Sequence, residues 1–197
     1  MQSSEQYLTP DEEKLLLRIA RDTLDAWVRD GRKIDTAAYP LTSTLKEKHG
    51  AFVTLTDQGE LRGCVGYAAN RAPLAETVRD NTINAASRDP RFSSVQSGEL
   101  ESVRIEISAL TPGDTLESPF KAVQIIDEIE IGRDGLCIQF DGAKSGLLLP
   151  QVPGHYGWDR SQFLSALCRK AQLPEGSWND PMAKLFRFSA QVFREPQ

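Results

Sequence analysis

The amino-acid sequence predicts an α+β protein, with a mainly antiparallel sheet, flanking helices and two unequal lobes around a cleft. The first observation is a run near the amino terminus with apolar residues at three-and-four spacing, which is typical of an amphipathic helix. The second is residues 51–67, where two β-rich runs flank a turn and predict a hairpin. The third is a group of short β-rich runs between residues 129 and 149, which predicts further strands.

Composition places the chain among ordinary globular proteins. Of its 197 residues, 40% are hydrophobic and 26% are charged, and the formal net charge is −5. This acidic balance disfavours a binder of nucleic acid or of acidic membranes, since both need a basic surface. The longest apolar runs are about four or five residues, whereas a membrane-spanning helix needs about 20. Residues 1–6 are polar and lack the features of a secretion signal, so we expect a cytoplasmic protein.

The cysteines and histidines bear on metal and redox chemistry. The three cysteines, Cys64, Cys137 and Cys168, are far apart and form no Cys-x-x-Cys pair. This pattern favours reduced thiols over a disulfide framework. With only His49 and His155 in the chain, no spacing typical of a zinc site occurs. We therefore predict neither a metal centre nor a bound cofactor.

The first predicted helix has clear start and stop signals. Thr9 is a suitable N-cap, Pro10 suits the first turn, and Glu12 stands at the capping-box offset. Gly31 is placed to end the helix. The residues that recur at three-and-four spacing predict one stripe packed on a core, and they are Leu15, Leu16, Ile19, Ala20, Thr23, Leu24 and Trp27.

Residues 61–66 form the second arm of the predicted hairpin and place a thiol between two glycines. Because side chains alternate along a strand, we expect Arg62, Cys64 and Gly66 on one face. Two glycines so close together in a strand mark a bulge or a point of close backbone approach. A helix is predicted to begin at Pro73, and a helix start near this strand would favour a thiolate. We therefore expect a functional site at Cys64.

The segment after this helix combines arginines with a carboxylate. Arg88 and Arg91 flank Asp89. They either bind a ligand anion or pair with this carboxylate, since arginine–carboxylate forks commonly fix loops. Alternation over residues 103–109 then predicts a half-buried strand. Before the hairpin, His49 is expected in a surface loop.

The second half of the chain predicts a smaller lobe at about residues 120–152. Three β-rich runs separated by turns predict a three-stranded meander, and they lie at 129–132, 136–140 and 147–149. Cys137 is expected to be a small buried residue in the middle strand. The loop that follows contains Gln151 and His155, whose side chains suit a ligand.

The last part of the chain is predicted to rejoin the larger lobe. A helix begins after Asp159, a suitable N-cap, and carries Cys168 on its apolar face. Residues 184–193 alternate and predict one final strand. The expected organisation is a single domain, 1–197, whose larger lobe comprises roughly residues 8–115 and 155–195.

Several sequence blocks occur in a fixed order from the first helix to Phe193. They are GAFVTL at 50–55, LRGCVG at 61–66, Asn81 with Ala85 and Ala86, DPRF at 89–92, GLLLPQV at 146–152, GWD at 157–159, FL at 163–164 and CRKA at 168–171. In this order the blocks resemble the AMMECR family, called AmmeMemoRadiSam system protein A in microbes. Two departures are small: Val65 where isoleucine is usual, and Gln172 where glycine is common.

The resemblance implies a fold and a functional setting. It implies an α+β domain of two unequal lobes, with the glycine–cysteine motif facing the cleft. It also implies two partners, a Memo-like protein and a radical S-adenosylmethionine protein, because the microbial members occur alongside them. It implies no particular reaction.

One hypothesis is an enzyme or covalent carrier that acts on a small molecule or a protein side chain. Cys64 is its nucleophile, with Arg62 and a nearby helix start lowering the pKa of the thiol. His155 is the candidate base, since cysteine–histidine pairs are spatial rather than sequential.

The alternative hypothesis is a non-catalytic module that binds a small anion or a partner. In this interpretation Gly63 and Gly66 expose backbone donors and acceptors. Arg62 and Arg91 then grip a phosphate or carboxylate, and Gln151 contributes a polar side chain.

Overall fold

The computed structural model of the chain describes residues 7–69, 71–113 and 118–196. Residues 1–6, on which the secretion-signal prediction rests, lie outside this part. The helices and strands are, in chain order, α1 (Pro10–Asp30), α2 (Ser43–Lys46), β1 (Ala51–Asp57), β2 (Glu60–Tyr67), α3 (Leu74–Ser87), β3 (Val103–Leu110), β4 (Lys121–Ala122), β5 (Gly135–Phe140), β6 (Lys144–Leu148), α4 (Val152–Tyr156), α5 (Arg160–Lys170), β7 (Ala183–Phe188) and β8 (Ala190–Arg194).

The chain divides into two compact units. The first comprises Met1–Leu110 with Gln191–Gln197, and the second comprises Thr111–Ala190. This division differs from the predicted lobes, because α5 belongs to the second unit. The reason is packing: Phe163, Leu164 and Leu167 of α5 share a core with residues of β5. Helices combined with two antiparallel sheets confirm the predicted α+β class.

The first unit contains a four-stranded sheet with the order β2-β1-β3-β8. β1 pairs antiparallel with both β2 and β3, which confirms the predicted hairpin. The helix α1 begins with the predicted capping box between Thr9 and Glu12 and ends at Gly31 in the left-handed conformation. Its apolar stripe shares one core with inward-facing residues of the sheet, including Val53 and Ile107.

The second unit contains a sheet with the order β4-β7-β5-β6. The predicted meander is wrong in one strand, because residues 129–132 form no strand, a turn covers residues 131–133, and β7 takes the place beside β5. Asp134 stabilises that turn by accepting a hydrogen bond from the backbone amide of Glu130 at 2.9 Å. The predicted single strand at 184–193 is also wrong: it is interrupted at Ser189, and β7 and β8 lie in different sheets.

Two further observations concern the described residues. His49 is buried, not in a surface loop as predicted, because the ring of Tyr7 packs edge-on against it with centroids 5.0 Å apart. In residues 7–69, 71–113 and 118–196, we find no helix with the length and apolar character needed to cross a bilayer.

Candidate functional site

Cys64 lies on β2, which forms the edge of the first sheet and pairs with β1. Its side chain is half-buried. Thr54 of β1 stands directly opposite, and the Thr54 hydroxyl donates a hydrogen bond of 3.3 Å to the Cys64 sulfur. The thiol therefore has a polar neighbour on the same face of the sheet.

A β-bulge sets this pairing. The register changes between Leu55, which lies opposite Gly63, and Thr56, which lies opposite Leu61. Arg62 is the extra residue of β2 at this point. The expected alternation is therefore wrong at the start of the strand, because Leu61 and Cys64 both lie opposite threonines of one face.

The two glycines of β2 are approached closely by atoms of the protein itself. A side chain at Gly63 would collide with the backbone carbonyl of Ala85 in α3, and one at Gly66 would collide with the ring of Phe52. Both glycines are thus required for packing. Their predicted role in binding a substrate or an anion stays a prediction.

The helix end near Cys64 is the carboxyl-terminal end. Ala85, which touches Gly63, lies in the last turn of α3, whereas the helix begins at Leu74. At 1.5 Å per residue, Leu74 and Ala85 are about 16 Å apart along the helix axis. The prediction of a helix start beside the thiol is therefore wrong, and the helix dipole does not favour a thiolate there.

Asp89 and Arg91 hold the backbone of Cys64. The Cys64 amide donates to Asp89 Oδ2 at 2.9 Å, and Arg91 Nη2 donates to the Cys64 carbonyl at 3.4 Å. Arg91 also forms a fork with Asp89, through Nε to Oδ1 at 2.9 Å and Nη2 to Oδ2 at 2.7 Å. This is the arginine–carboxylate pairing considered above as the alternative to anion binding.

The charge state of Asp89 follows from these contacts. Hydrogen bonds from the Arg91 side chain lower the pKa of Asp89 well below its usual range. Burial opposes this effect, and the backbone amides of Cys64 and Arg91 add to it. Asp89 is therefore a carboxylate at every pH at which a thiol titrates.

Arg62 makes a separate set of contacts. Its Nε and Nη2 donate to Glu99 at 2.6 and 3.2 Å, and its Nη1 donates to the carbonyl of Ser93 at 2.8 Å. These bonds to Arg62 lower the pKa of Glu99. Arg62 therefore fixes the loop before β3 through Glu99 and Ser93.

The residues that lie side by side with Cys64 on neighbouring strands are also polar. Thr54 lies opposite Glu106 of β3, and Glu106 Oε2 is 3.7 Å from Nε of Arg194 in β8. These side chains give the half-buried face of the sheet a polar character. The opposite face carries the core of the first unit.

The other two thiols have different surroundings. Cys137 in β5 and Cys168 in α5 are buried, which confirms the prediction that both are core residues. Burial raises the pKa of Cys137 to about 11. Burial also raises the pKa of Cys168.

His155 and Gln151 lie in the second unit. Gln151 directly precedes α4, and His155 is in the last turn of that helix. The His155 ring packs edge-on against Tyr156, which stacks on Trp158 with ring centroids 4.6 Å apart. The pairing of His155 with Cys64 stays a prediction, as does the binding role of Gln151.

Three residues of the site were not singled out from the sequence as site residues. They are Thr54, Asp89 and Glu99, which contact Cys64 or Arg62. The DPRF block at 89–92 was a signal for Asp89, because an aspartate two residues before an arginine can form a local fork. The contact of Thr54 with Cys64 could be found only from the register of the hairpin. The contact of Glu99 with Arg62 could be found only from the path of the loop before β3.

The fold and the site together define a class: an α+β protein with two antiparallel sheets and a half-buried thiol on an edge strand. The family model described as AMMECR1 matches residues 17–193. The chain therefore belongs to the AMMECR1 family, as the ordered sequence blocks predicted.

Archaeal proteins are similar to the chain over nearly its full length. Protein MK0488 of Methanopyrus kandleri is 42% identical over 193 residues, covering 96% of this chain and 91% of that protein. Protein TK0174 of Thermococcus kodakarensis is 43% identical over 187 residues, covering 92% and 89%. A crystal structure of uncharacterized protein PH0010 from Pyrococcus horikoshii matches with a TM-score of 0.88 and 34% identity, covering 96% of this chain and 94% of that one.

Proposed function

We propose that the protein is an enzyme or covalent carrier that uses Cys64 to react with a small molecule or a protein side chain. The observation that carries this proposal is the contrast among the three thiols. Cys64 is half-buried on an edge strand, whereas Cys137 and Cys168 are buried and have raised pKa values. Because the thiolate is the nucleophile, the two buried thiols are poor competitors near neutral pH.

The step that we propose is displacement at an electrophilic carbon. A bond forms from the Cys64 sulfur to that carbon, and the bond from the carbon to its leaving group breaks. The leaving group departs with the electron pair, and the thiol proton goes to water or to His155, the proposed base. The Thr54 hydroxyl supports this step, because its hydrogen bond to sulfur strengthens when the sulfur carries charge.

The second candidate function is a binding module that acts with a Memo-like protein and a radical S-adenosylmethionine protein. These partners are proposed from the family resemblance. One observation favours this function: Leu61 and Tyr67 are exposed large apolar residues on the edge strand β2. Strand edges and exposed apolar residues are common features of surfaces that bind another chain.

We also propose a cytoplasmic location. The support is the cysteine pattern, since three widely separated thiols suit a reducing compartment.

Alkylation with iodoacetamide near neutral pH tests the proposed chemistry. We expect mass spectrometry of digested protein to show that Cys64 is labelled first. Burial raises the pKa of Cys137 to about 11 from an ordinary value of 9.0, which leaves about 100-fold less thiolate than an unperturbed cysteine has. Equal, slow labelling of all three cysteines would contradict the proposal and leave the binding module as the better account.

A Cys64→Ser variant separates the two candidate functions once a partner-dependent activity is measured. Loss of activity in a folded Cys64→Ser protein supports covalent chemistry. Retained activity in a folded Cys64→Ser protein supports binding instead.

A further inference from the structure

Two arginines next to Cys64 differ in what they can still bind. Each of the three nitrogens of Arg62 donates to a protein oxygen, on Glu99 or Ser93. The Arg62 side chain is only 15% exposed. Arg62 therefore has little capacity to bind a ligand without breaking its fork with Glu99.

Arg91 presents a different edge. Its side chain is 51% exposed, and its fork with Asp89 uses Nε and Nη2. Within the part of the chain that the structure describes, no residue accepts a hydrogen bond from Arg91 Nη1. The two N–H groups of Nη1 are therefore the Arg91 donors that can bind an oxygen of a carboxylate or a phosphate.

The position of this guanidinium is fixed relative to the thiol. Asp89 is only 4% exposed and holds Arg91 from one side. The bond from Arg91 Nη2 to the Cys64 carbonyl, at 3.4 Å, ties the guanidinium to the residue that carries the sulfur. Hydrogen bonds to Asp89 are the main cause that raises the pKa of Arg91, and the charge of Cys64 adds to it, while burial opposes them.

We infer that the substrate of Cys64 carries a carboxylate or phosphate, bound by Nη1 of Arg91 beside the electrophilic carbon. This inference rests on the proposed function of Cys64 as a nucleophile. Asp89 is a positioning residue in this arrangement, since it acts through Arg91 and the Cys64 backbone. Because the Asp89 carboxylate offsets the Arg91 charge, selectivity comes from directed N–H donors and is moderate in size.

Two alkylating reagents with the same reactive carbon test this inference. Iodoacetate carries a carboxylate and iodoacetamide does not, so the ratio of their rate constants at Cys64 reports anion recognition. We expect this ratio to exceed that of an unstructured cysteine peptide by about fivefold, equivalent to about 1 kcal/mol at 1.4 kcal/mol per factor of ten. Added inorganic phosphate should slow labelling by iodoacetate more than labelling by iodoacetamide.

Matched variants assign the effect to one arginine. In Arg91→Gln we expect the ratio to fall to that of the peptide. Arg133→Gln is the control, because Arg133 forms the same kind of fork with Asp134 in the second unit. Its ratio should equal that of the wild type. The measurements on the wild-type protein keep the test valid if Arg91→Gln fails to fold.

The outcomes distinguish the inference from the function on which it rests. Rapid reaction of Cys64 with iodoacetamide, with a peptide-like ratio and no effect of phosphate, would overturn the inference and leave the nucleophile in place. No preferential reaction of Cys64 with either reagent would overturn both. A raised ratio that Arg91→Gln abolishes and Arg133→Gln preserves supports both.

Discussion

β2 carries a cysteine with two glycines and β5 a cysteine with one glycine, yet the surroundings of their thiols differ. β2 is the edge strand beside β1, and Cys64 is half-buried. β5 lies between β7 and β6, and Cys137 is buried, with a pKa raised to about 11. The comparison shows that the position of a strand within its sheet contributes to the accessibility of a thiol, together with the face of the sheet that the thiol occupies.

The two regions also contain similar aspartate–arginine forks with different tasks. Asp134 and Arg133 close a turn, because Asp134 accepts from a backbone amide only four residues away. Asp89 and Arg91 bind the backbone of Cys64, 25 residues from Asp89 in sequence. One fork is a local turn stabiliser, and the other ties a loop to the thiol-bearing strand.

The largest effect on stability is expected when a glycine of β2 or of β5 is replaced by alanine. Gly63→Ala should lower the free energy of unfolding by about 3 kcal/mol, because the new methyl group meets the backbone carbonyl of Ala85. Gly135→Ala should cost less, about 1 kcal/mol, because the new methyl group meets the ring of Phe188, a side chain and not the backbone. Urea unfolding measures both, and equal costs would contradict the distinction.

Replacing Asp89 or Asp134 by alanine should loosen the backbone in different parts of the chain. Asp89→Ala should destabilise the protein by about 2 kcal/mol, since it leaves the Cys64 amide and Arg91 without their acceptor. Hydrogen exchange at the Cys64 amide should accelerate. In the matched variant Asp134→Ala, exchange should accelerate in the turn before β5 and stay unchanged at Cys64. Unchanged exchange at Cys64 in Asp89→Ala would contradict the proposed clamp.

Lowering the pH should weaken the fork between Asp89 and Arg91. The pKa of Asp89 in the folded protein lies below its unfolded value, mainly because of Arg91. Its contribution to stability is therefore complete above about pH 4, the unfolded value, and is lost as the pH falls below it. We expect the stability difference between wild type and Asp89→Asn to shrink between about pH 5 and pH 2. A constant difference across this interval would argue against the assigned ionisation.

The smallest effect is expected at Thr54. Thr54→Val removes the hydroxyl that donates to the Cys64 sulfur. The rate of alkylation by iodoacetamide should fall about threefold, the equivalent of about 0.6 kcal/mol for a weak hydrogen bond. Thr54→Ser keeps the hydroxyl and should react like wild type; a similar loss in both variants would indicate a packing effect instead.

Local chemistry explains which elements could be predicted. The capping box of Thr9 and Glu12 and the left-handed Gly31 involve neighbours in sequence, so the bounds of α1 follow from the chain itself. The second sheet was predicted less well. Residues 129–132 have strand-like composition, but a turn at 131–133 replaces the strand, and the hydrogen bond from the Glu130 amide to Asp134 closes that turn. The strand that pairs with β5 instead comes from 183–188, and such long-range pairing leaves no local signal.

The sequence by itself determined the family, the α+β class and the hairpin that carries Cys64. Only the tertiary structure decided which face of the sheet the thiol occupies. If the register at the turn continued along β2 without a bulge, Cys64 would lie opposite Val53, a core residue. The extra residue, Arg62, shifts the pairing so that Cys64 lies opposite Thr54. A shift of one residue reverses every side chain in a strand, so a single bulge separates a core cysteine from an accessible one.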